Sequence, residues 1–300
     1  MSRVVWFVCV AVLGAACSPT RWGVDRSATI IRAGAAAFHE EGDVAFAREA
    51  WASNVKLIEG LLKTSPRNPL LWEQAAEGLC GYAFFFVEDD LEALPPFDDT
   101  RALHARRAQI FYGRCRDAAL RLLELRHPGI ASRLSGPAEV FEATIGRLGP
   151  DDVPGLFWLA FALVGSANMS RDDVSVVADL WRIEALLRRV VALNERFCNA
   201  GAHIALGGLL ASRSPMLGGD PRRAREAMER AIGLTGGRYL MHRVLLARMY
   251  AVPVGDRELF EQELRAVLAT PAEIMPAERL ANEIAKRRAA RYLERAGELF

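Results

Sequence analysis

Hydrophobic residues recur every three or four positions from Ala28 to Phe300, and Pro and Gly residues fall between the periodic stretches. This spacing gives a helix one apolar face, which must pack on neighbouring helices to be stable. No run shows the strict alternation of a half-buried strand. The pattern predicts an all-α fold of about 11–12 helices. The predicted segments are 27–41, 43–64, 69–88, 101–126, 137–148, 154–169, 174–194, 197–212, 221–234, 238–251, 256–269 and 276–296.

Some of these helices carry traces of a structural repeat. The two helices around the loop 212–221 carry the small residues Gly207, Ala224 and Ala231. Small side chains at these places let two helices approach closely, which is typical of a tetratricopeptide (TPR) hairpin. We predict a TPR-like α-solenoid of antiparallel helix pairs, in a single domain over residues 26–300. The alternative is an irregular helical bundle.

The N-terminus has the order of a secretory signal peptide. Arg3 precedes an apolar stretch from Val4 to Leu13, small residues follow, and Cys17 comes next. No second apolar run reaches the roughly 18–20 residues that span a bilayer. A Cys directly after small residues resembles the bacterial lipoprotein signal, in which the thiol is acylated. We predict a lipoprotein signal peptide at 1–16, an acylated Cys17 and a tether at 17–25.

Two alternatives exist for this leader, namely ordinary cleavage to a soluble protein and a helix that stays as a plain anchor. Gly14 stands where lipoprotein signals usually carry leucine, three residues before the Cys. Ser18 is not the aspartate that favours retention in the inner membrane, so we expect the outer membrane. Several acyl chains would give a stable anchor there.

The charge of the chain is close to balanced, with a formal net charge of +1. Removal of the leader takes away Arg3 and leaves equal numbers of acids and bases. A neutral protein has no general attraction for nucleic acid or for an anionic membrane. We therefore expect no nucleic-acid partner, and contact with the membrane through the lipid anchor only.

The cysteines that follow Cys17 have no metal-type spacing. Cys80, Cys115 and Cys198 are scattered, and we expect them to be buried free thiols. HExxH, GxSxG and phosphate-binding loops do not occur in the sequence, and the five histidines are scattered. We predict no enzyme, no catalytic residue, no metal site and no cofactor.

Six acidic residues occur between Glu88 and Asp99, around a pair of prolines. Carboxylates are calcium ligands, but this spacing matches no calcium loop. The segment predicts a solvated acidic loop or, alternatively, a docking surface for a basic partner.

Aromatic side chains share a helix face at Tyr82 and Phe86, and again at Trp158 and Phe161. Such residues belong to the core or line an apolar pocket. His203 is either a satisfied helix histidine or a cleft residue, and the loop from Pro215 to Pro221 is longer than a TPR turn requires. Our candidate ligand-cleft or partner-binding residues are Tyr82, Phe86, Trp158, Asn199, His203, Gly218, Gly219 and Asn282.

Several segments resemble the T component of tripartite ATP-independent periplasmic (TRAP) transporters, the TatT family of TPR lipoproteins. The resemblance runs from about residue 40 to the C-terminus and includes 59–90, 110–120, 152–165, 186–240 and 276–300. Its most specific residues are Pro215, Gly218, Gly219, Asp220, Pro221, Ala224, Leu280, Asn282 and Ala285. The chain departs from the family at Met228, where an aromatic residue is usual, and in its lipoprotein signal.

This resemblance implies a periplasmic lipoprotein that binds the solute-binding (P) subunit of a TRAP transporter. It also implies a homo-oligomer, a trimer, with a cleft or pore that passes an apolar ligand to the partner. The alternative function is a TPR lipoprotein scaffold for an envelope assembly complex. A third hypothesis, an enzyme on a helical toroid, would need a carboxylate pair or histidine cluster that the spacing does not offer.

Overall fold

The structure of this chain, a computed structural model, describes residues 19–170 and 174–300, except for the side chains of 174–178. No strand occurs in these described ranges, so the predicted all-α class is confirmed. The first helices are α1 (Pro19–Gly34), α2 (Ala36–His39), α3 (Val44–Thr64), α4 (Pro69–Tyr82), α5 (Glu88–Ala93), α6 (Arg101–Arg126), α7 (Ile130–Leu134) and α8 (Ala138–Arg147). A π-helical segment, Ala83–Val87, joins α4 to α5.

The second part of the chain is helical as well. Its helices are α9 (Val153–Met169), α10 (Val174–Asn194), α11 (Phe197–Ala211), α12 (Pro221–Leu234), α13 (Met241–Leu246), α14 (Val252–Val254), α15 (Arg257–Ala269), α16 (Arg279–Glu294) and α17 (Ala296–Leu299). A second π-helical segment, Ala247–Ala251, joins α13 to α14. The short turns Pro150–Asp152, Pro215–Leu217, Ala272–Ile274 and Pro276–Glu278 are 3-10 helical.

The long helices pack mainly on their neighbours in the chain. Helix α3 packs on α4, α4 on α6, α6 on α9, and the succession continues through α10, α11 and α12. The C-terminal helix α16 packs on α15 and also on α2 and α3, so the last long helix meets the first part of the domain. We call the region where α16 and the segment before it meet earlier parts of the chain the seam. A solenoid arrangement stays a prediction.

The hairpin of α11 and α12 has the close approach that its small residues predict. A Cβ added at Gly207 would lie 2.8 Å from the carbonyl oxygen of Ala224 and would also collide with Met228. Ala224, Met228 and Ala231 are fully buried in this contact. The helices therefore pack backbone to backbone here, and a larger residue at position 207 would separate them.

Helix starts are capped by acidic or amide side chains. Asp43 accepts from the backbone N–H of Ala45 and Phe46 at 2.9 and 3.1 Å, and Asp220 accepts from Arg223 N at 3.0 Å. These bonds satisfy N–H groups that have no partner within the helix.

The N-terminal predictions fall mostly outside the described residues. The signal peptide 1–16 and the acylated Cys17 lie there. The predicted tether at 17–25 differs from the structure, because helix α1 begins at Pro19. Asp25 accepts hydrogen bonds from Ser65 Oγ at 2.6 Å and Asn68 Nδ2 at 2.7 Å, so the end of this segment packs on the domain.

One segment within the described part of the chain, Pro150–Met169, is long and apolar enough to span a membrane by length and composition. The expectation that no second apolar run long enough to span a bilayer follows the leader is therefore wrong. More than half of the segment is buried inside the protein, which is typical of a core helix.

Two of the cysteines form a disulfide bond, so the prediction of free thiols is wrong for this pair. Cys80 on α4 and Cys115 on α6 are bonded, with Cα atoms 5.5 Å apart. The two helices pack side by side and bring residues together that are 35 positions apart in the chain. Spacing alone does not reveal such a contact between two helices.

Candidate functional site

An aromatic cluster fills the interior between α4, the first π-helical segment, α6 and α9. The Tyr82 and Phe86 rings lie 5.6 Å apart, and Tyr82 also packs on Phe111 at 4.9 Å. Trp158 packs on Phe161 with ring centroids 5.9 Å apart. Tyr82, Phe86 and Trp158 are all buried, so the structure places them in the core.

The π-helical segment Ala83–Val87 turns a further ring towards the seam. A π-helical turn contains one more residue than an α-helical turn, and such turns frequently occur at functional sites. Phe84 is partly buried, packs on Phe161 at 5.7 Å and lies under the Arg288 guanidinium at 4.7 Å. Arg288 Nη2 also donates to the Phe84 carbonyl oxygen at 2.5 Å. The aromatic cluster therefore continues to a buried cation of the C-terminal helix.

Buried charges join α5 to α16 at the seam. Arg288 is 1% exposed, and its Nε donates to Asp89 Oδ1 at 3.3 Å. Arg291 donates to Asp89 at 2.6 Å and to Glu92 at 3.3 Å. Burial by itself would raise the pKa of Asp89, but the guanidiniums of Arg288 and Arg291 lower it below its usual value. Asp89 is therefore a carboxylate that is fully ionised at neutral pH.

This network corrects the prediction for the acidic segment. Glu88 and Asp89 are buried within a helical stretch, and Tyr112 donates to Glu88 Oε1 at 2.5 Å. Only the part after the helix, with Asp98 and Asp99, is an exposed loop. Asp89 pairs with cations of α16 and Glu88 accepts from Tyr112 of α6, and these partners are distant in the sequence.

A left-handed backbone turn opens α11. Cys198, Asn199 and Ala200 have φ values of 48°, 54° and 60°, although none is glycine. This conformation costs roughly 1–2 kcal/mol per residue and persists only where neighbouring contacts hold it. Asn199 Nδ2 donates to Glu278 Oε1 at 2.8 Å, which ties the turn to the segment before α16. The candidate residue Asn199 therefore lies at the seam.

A histidine lies between two carboxylates beside this turn. His39 Nδ1 is 3.6 Å from Glu278 and its Nε2 is 3.7 Å from Glu77. Burial alone would lower the pKa of His39, but Glu278 and Glu77 raise it from 6.5 to about 10. His39 is therefore an imidazolium at neutral pH, and it connects α2, α4 and the seam.

Cys198 lies beside the same two carboxylates, and its prediction as a buried thiol is wrong because the residue is exposed to solvent. Surrounding protein nevertheless raises the pKa of the Cys198 thiol, and Glu77 and Glu278 raise it further. Tyr239 is half-buried near the same groups. Burial raises the pKa of its hydroxyl, and Glu278 and Cys198 raise it further. Both side chains therefore belong to the group of residues around Glu278, together with His39 and Asn199.

Asn282 lies in the interior of the seam and is 0% exposed. It accepts from Leu240 N at 2.8 Å and donates to the carbonyl oxygens of Arg238 and Ala272 at 3.0 Å each. Three hydrogen bonds therefore tie α16 to the turn before α13 and to the 3-10 turn Ala272–Ile274, which precedes α16 in the chain. This bonding accounts for an asparagine in the interior.

His203 is buried on α11, and its Nε2 lies 3.2 Å from Glu195 Oε2. Glu195 also accepts from Arg230 on α12. The imidazole is thus part of a polar contact across the hairpin.

The loop between α11 and α12 is a rigid turn. Gly218 has φ of 81°, and a Cβ at Gly219 would collide with the Arg213 carbonyl. Backbone bonds close the turn, from Gly219 N to Ser214 O at 3.0 Å and from Gly218 N to Pro215 O at 3.1 Å. These glycines are therefore required by the shape of the loop.

This loop presents apolar side chains to solvent. Met216 is 96% exposed and Leu217 is 57% exposed. Arg213 anchors the base of the loop, because it is nearly buried and donates to Glu184 of α10 at 2.5 Å. The turn therefore holds two neighbouring large apolar side chains in water. We call residues 214–219 the apolar loop.

The structure thus separates the candidates into four places. Tyr82, Phe86 and Trp158 share the aromatic cluster, and Asn199 and Asn282 belong to the seam. Gly218 and Gly219 shape the apolar loop, and His203 lies in the polar contact across the α11–α12 hairpin. Sequence reasoning missed several residues, namely His39, Glu77, Met216, Glu278 and Arg288. The charged residues among them have partners on distant helices, so no local spacing marks them.

The site offers binding groups and no set of metal ligands. Within the described ranges, no group of three or more His, Cys, Asp or Glu side chains could hold a metal ion. Half-buried rings lie next to charged and amide groups at the seam, and such a mixture suits an apolar ligand with a polar end.

Comparison with known proteins adds to this geometry. A protein family model described as "TRAP transporter T-component" matches residues 40–300. An uncharacterized protein of Treponema pallidum (strain Nichols) is 24% identical to this chain over 261 residues, which cover 84% of the chain and 79% of that protein. The family match includes α3 to α17, and therefore the aromatic cluster, the apolar loop and the seam except for α2 with His39. The chain belongs to the family of TRAP transporter T-components, which are accessory parts of a transporter and not a known class of enzyme.

Proposed function

We propose that this chain is an exported, lipid-anchored helical module that binds the solute-binding subunit of a TRAP transporter. The observation that carries the proposal is the family match over residues 40–300. A transporter component lies at the cell envelope, and the solute-binding subunit is the partner that the resemblance implies. The partner recognises a folded surface of the chain, and no catalysis is involved.

Two independent features support export. Residues 1–16 have the order of a signal peptide, and Cys17 directly follows small residues. The Cys80–Cys115 disulfide is the kind of bond that persists in oxidising compartments such as the periplasm. We propose that acylated Cys17 anchors the chain in the outer membrane.

We assign the partner contact to the apolar loop. It combines a rigid backbone with Met216 and Leu217 exposed, so little conformational entropy is lost on binding. Apolar side chains at the centre of an interface dominate its binding energy. Phe97 provides a matched control, since it is also 96% exposed but lies in the loop before α6.

We assign the apolar ligand to the partly buried rings near the seam. Phe84, Phe161, Phe197 and Tyr239 are partly buried, and Cys198 is exposed. The ring edges would contact the apolar part of a ligand, and Asn199 would hydrogen-bond its polar end. Native mass spectrometry of freshly purified protein tests this assignment. A bound lipid-sized mass supports it, and a consistently unliganded mass contradicts it.

Capture from native envelopes tests the proposed partner. Cross-linked cells carrying a tagged chain are solubilised, and co-purified proteins are identified by mass spectrometry. We expect the solute-binding subunit with the native chain and with Phe97→Ser, and much less with Met216→Ser. Recovery of an outer-membrane or cell-wall complex without the solute-binding subunit would favour the envelope scaffold.

Fractionation of Cys17→Ala tests the anchor separately. The native chain should sediment with outer membranes, and the variant should appear in the soluble periplasmic fraction. An unchanged membrane fraction would contradict lipidation at Cys17.

A further inference from the structure

A cleft lies at the end of the seam, away from the left-handed turn. Its volume is about 250 Å³. Residues from α5, from the start of α6, from the second π-helical segment and from the C-terminal helices line it. The polar groups that face it are Glu92, Arg101, Arg248, Tyr292, Arg295 and Glu298. We call it the arginine cleft.

The arginine cleft has more positive than negative charge, with three guanidiniums against two carboxylates. Both carboxylates are already engaged. Glu92 accepts from Tyr292 at 2.5 Å and from Arg291 at 3.3 Å, while Glu298 pairs with Arg295 at 2.9 Å. The charge of Arg101 and Arg248 is therefore not neutralised by the carboxylates that line the cleft.

Arg101 is held in place by backbone carbonyl groups, and its charge also acts on the carboxylate of Asp98 in the adjoining loop. Its Nη1 donates to the carbonyl oxygens of Leu91, Leu94 and Pro95, at 3.1, 2.9 and 3.3 Å. Within the described residues, no carboxylate lies within 4.0 Å of its guanidinium nitrogens. The Nη1 atom thus fixes the guanidinium, and the other N–H groups of Arg101 stay available to a ligand.

Arg248 lies in the second π-helical segment, Ala247–Ala251, and its guanidinium stacks over the Tyr292 ring at 6.0 Å. Within the described residues, this ring contact is the one interaction of the Arg248 side chain. Tyr292 is fixed in turn by Glu92, so the platform under Arg248 is rigid. Guanidinium N–H groups that point into a cleft match the two oxygens of a carboxylate.

We propose that the arginine cleft binds a small organic anion through a carboxylate group. Arg101 and Arg248 contact the carboxylate, and Pro96 and Leu299 provide apolar contact for the carbon skeleton. The fixed guanidiniums lower the entropy lost on binding. The volume lies just below the usual range of about 300–1,000 Å³ for ligand pockets, so the anion has few carbon atoms.

Isothermal titration calorimetry of the full-length chain in mild detergent tests this proposal, with succinate as the probe. We expect saturable binding with a Kd in the millimolar range or tighter, and roughly tenfold weaker binding of the neutral analogue succinamide. Arg248→Gln should weaken succinate binding roughly tenfold or more, and Arg248→Lys should weaken it less because it keeps the charge.

Arg222→Gln is the matched control, since Arg222 is 75% exposed on α12 and pairs with Glu226. It should leave the affinity for succinate unchanged. Equal binding by Arg248→Gln and the native chain would overturn the proposal, as would the absence of succinate binding. Inorganic phosphate is titrated in parallel, and binding of phosphate alone would overturn the assignment to a carboxylate. The transporter partner is absent from this experiment, so its result is independent of the proposed function.

Discussion

Arg288 and Asp89 are 199 residues apart in the chain, yet Arg288 Nε donates to Asp89 Oδ1 at 3.3 Å inside the protein. This ion pair joins the C-terminal helix to the helix that follows the first π-helical segment. Arg288 also stacks on Phe84, so the same residue contacts the aromatic cluster. The C-terminal helix α16 and the segment from Phe84 to Asp89 therefore stabilise each other.

Replacing Arg288 with Met should lower the free energy of unfolding by about 3–5 kcal/mol, because Asp89 would keep a buried charge with fewer partners. Urea denaturation measures the change. Arg287→Met is the control, since Arg287 is 55% exposed and lies 3.9 Å from Asp89, and it should change stability by less than about 1 kcal/mol. Similar effects of the two variants would show that the ion pair does not hold the seam.

Reduction of the Cys80–Cys115 disulfide should lower the free energy of unfolding by about 2–4 kcal/mol, because the bond closes a long loop in the unfolded chain. Denaturation with and without a thiol reductant measures this. The double variant Cys80→Ala and Cys115→Ala should be insensitive to the reductant. A native chain that is equally insensitive would argue against the bond.

Stability should depend on pH through His39, whose pKa is raised from 6.5 to about 10. A raised pKa contributes stability that is complete below pH 6.5 and is lost as the pH rises to about 10. The native chain should therefore lose on the order of 3 kcal/mol relative to His39→Gln across this range, after allowance for solvent screening. If the free energy of unfolding of the two proteins changed in parallel with pH, the imidazolium between Glu77 and Glu278 would be refuted.

His242 gives a contrast of opposite sign, because burial lowers its pKa from 6.5 to about 3. Its contribution to stability is present above pH 6.5 and is lost as the pH falls towards 3. The native chain should therefore lose stability in acid that His242→Phe does not lose. Equal acid sensitivity of both proteins would contradict a buried neutral imidazole.

Gly207→Ala should destabilise the α11–α12 hairpin by about 1–3 kcal/mol, because the added methyl group meets the Ala224 backbone. Thermal and urea denaturation measure the loss. Gly60→Ala is the control, since nothing lies within 4 Å of a Cβ at this exposed position of α3. The control should be neutral or stabilise the protein by up to about 1 kcal/mol.

Much of the helical framework could be predicted from the sequence, because the apolar residues of each long helix recur with the helical period. The predicted ranges 101–126, 174–194 and 221–234 match α6, α10 and α12 at both ends. The short helix α7 was not predicted, since five residues are too few to show a period. The π-helical segments were also missed, because a single wide turn leaves no periodic signal.

The candidate site was less predictable for a physical reason. Asn199 was named, but its partner Glu278 is 79 residues away, and Arg288 binds an acid on the opposite side of the seam. The disulfide was likewise hidden, because Cys80 and Cys115 meet only when α4 and α6 pack. Contacts between distant helices depend on packing, which local patterns do not specify.

The most direct test of the account measures binding between this chain, purified in mild detergent, and the purified solute-binding subunit of the same organism's TRAP transporter. Surface plasmon resonance or calorimetry should give saturable binding with a Kd in the micromolar range or tighter. Met216→Ser should weaken this binding roughly tenfold, and Phe97→Ser should not change it. No detectable binding at about 100 μM of either protein would contradict the proposed function.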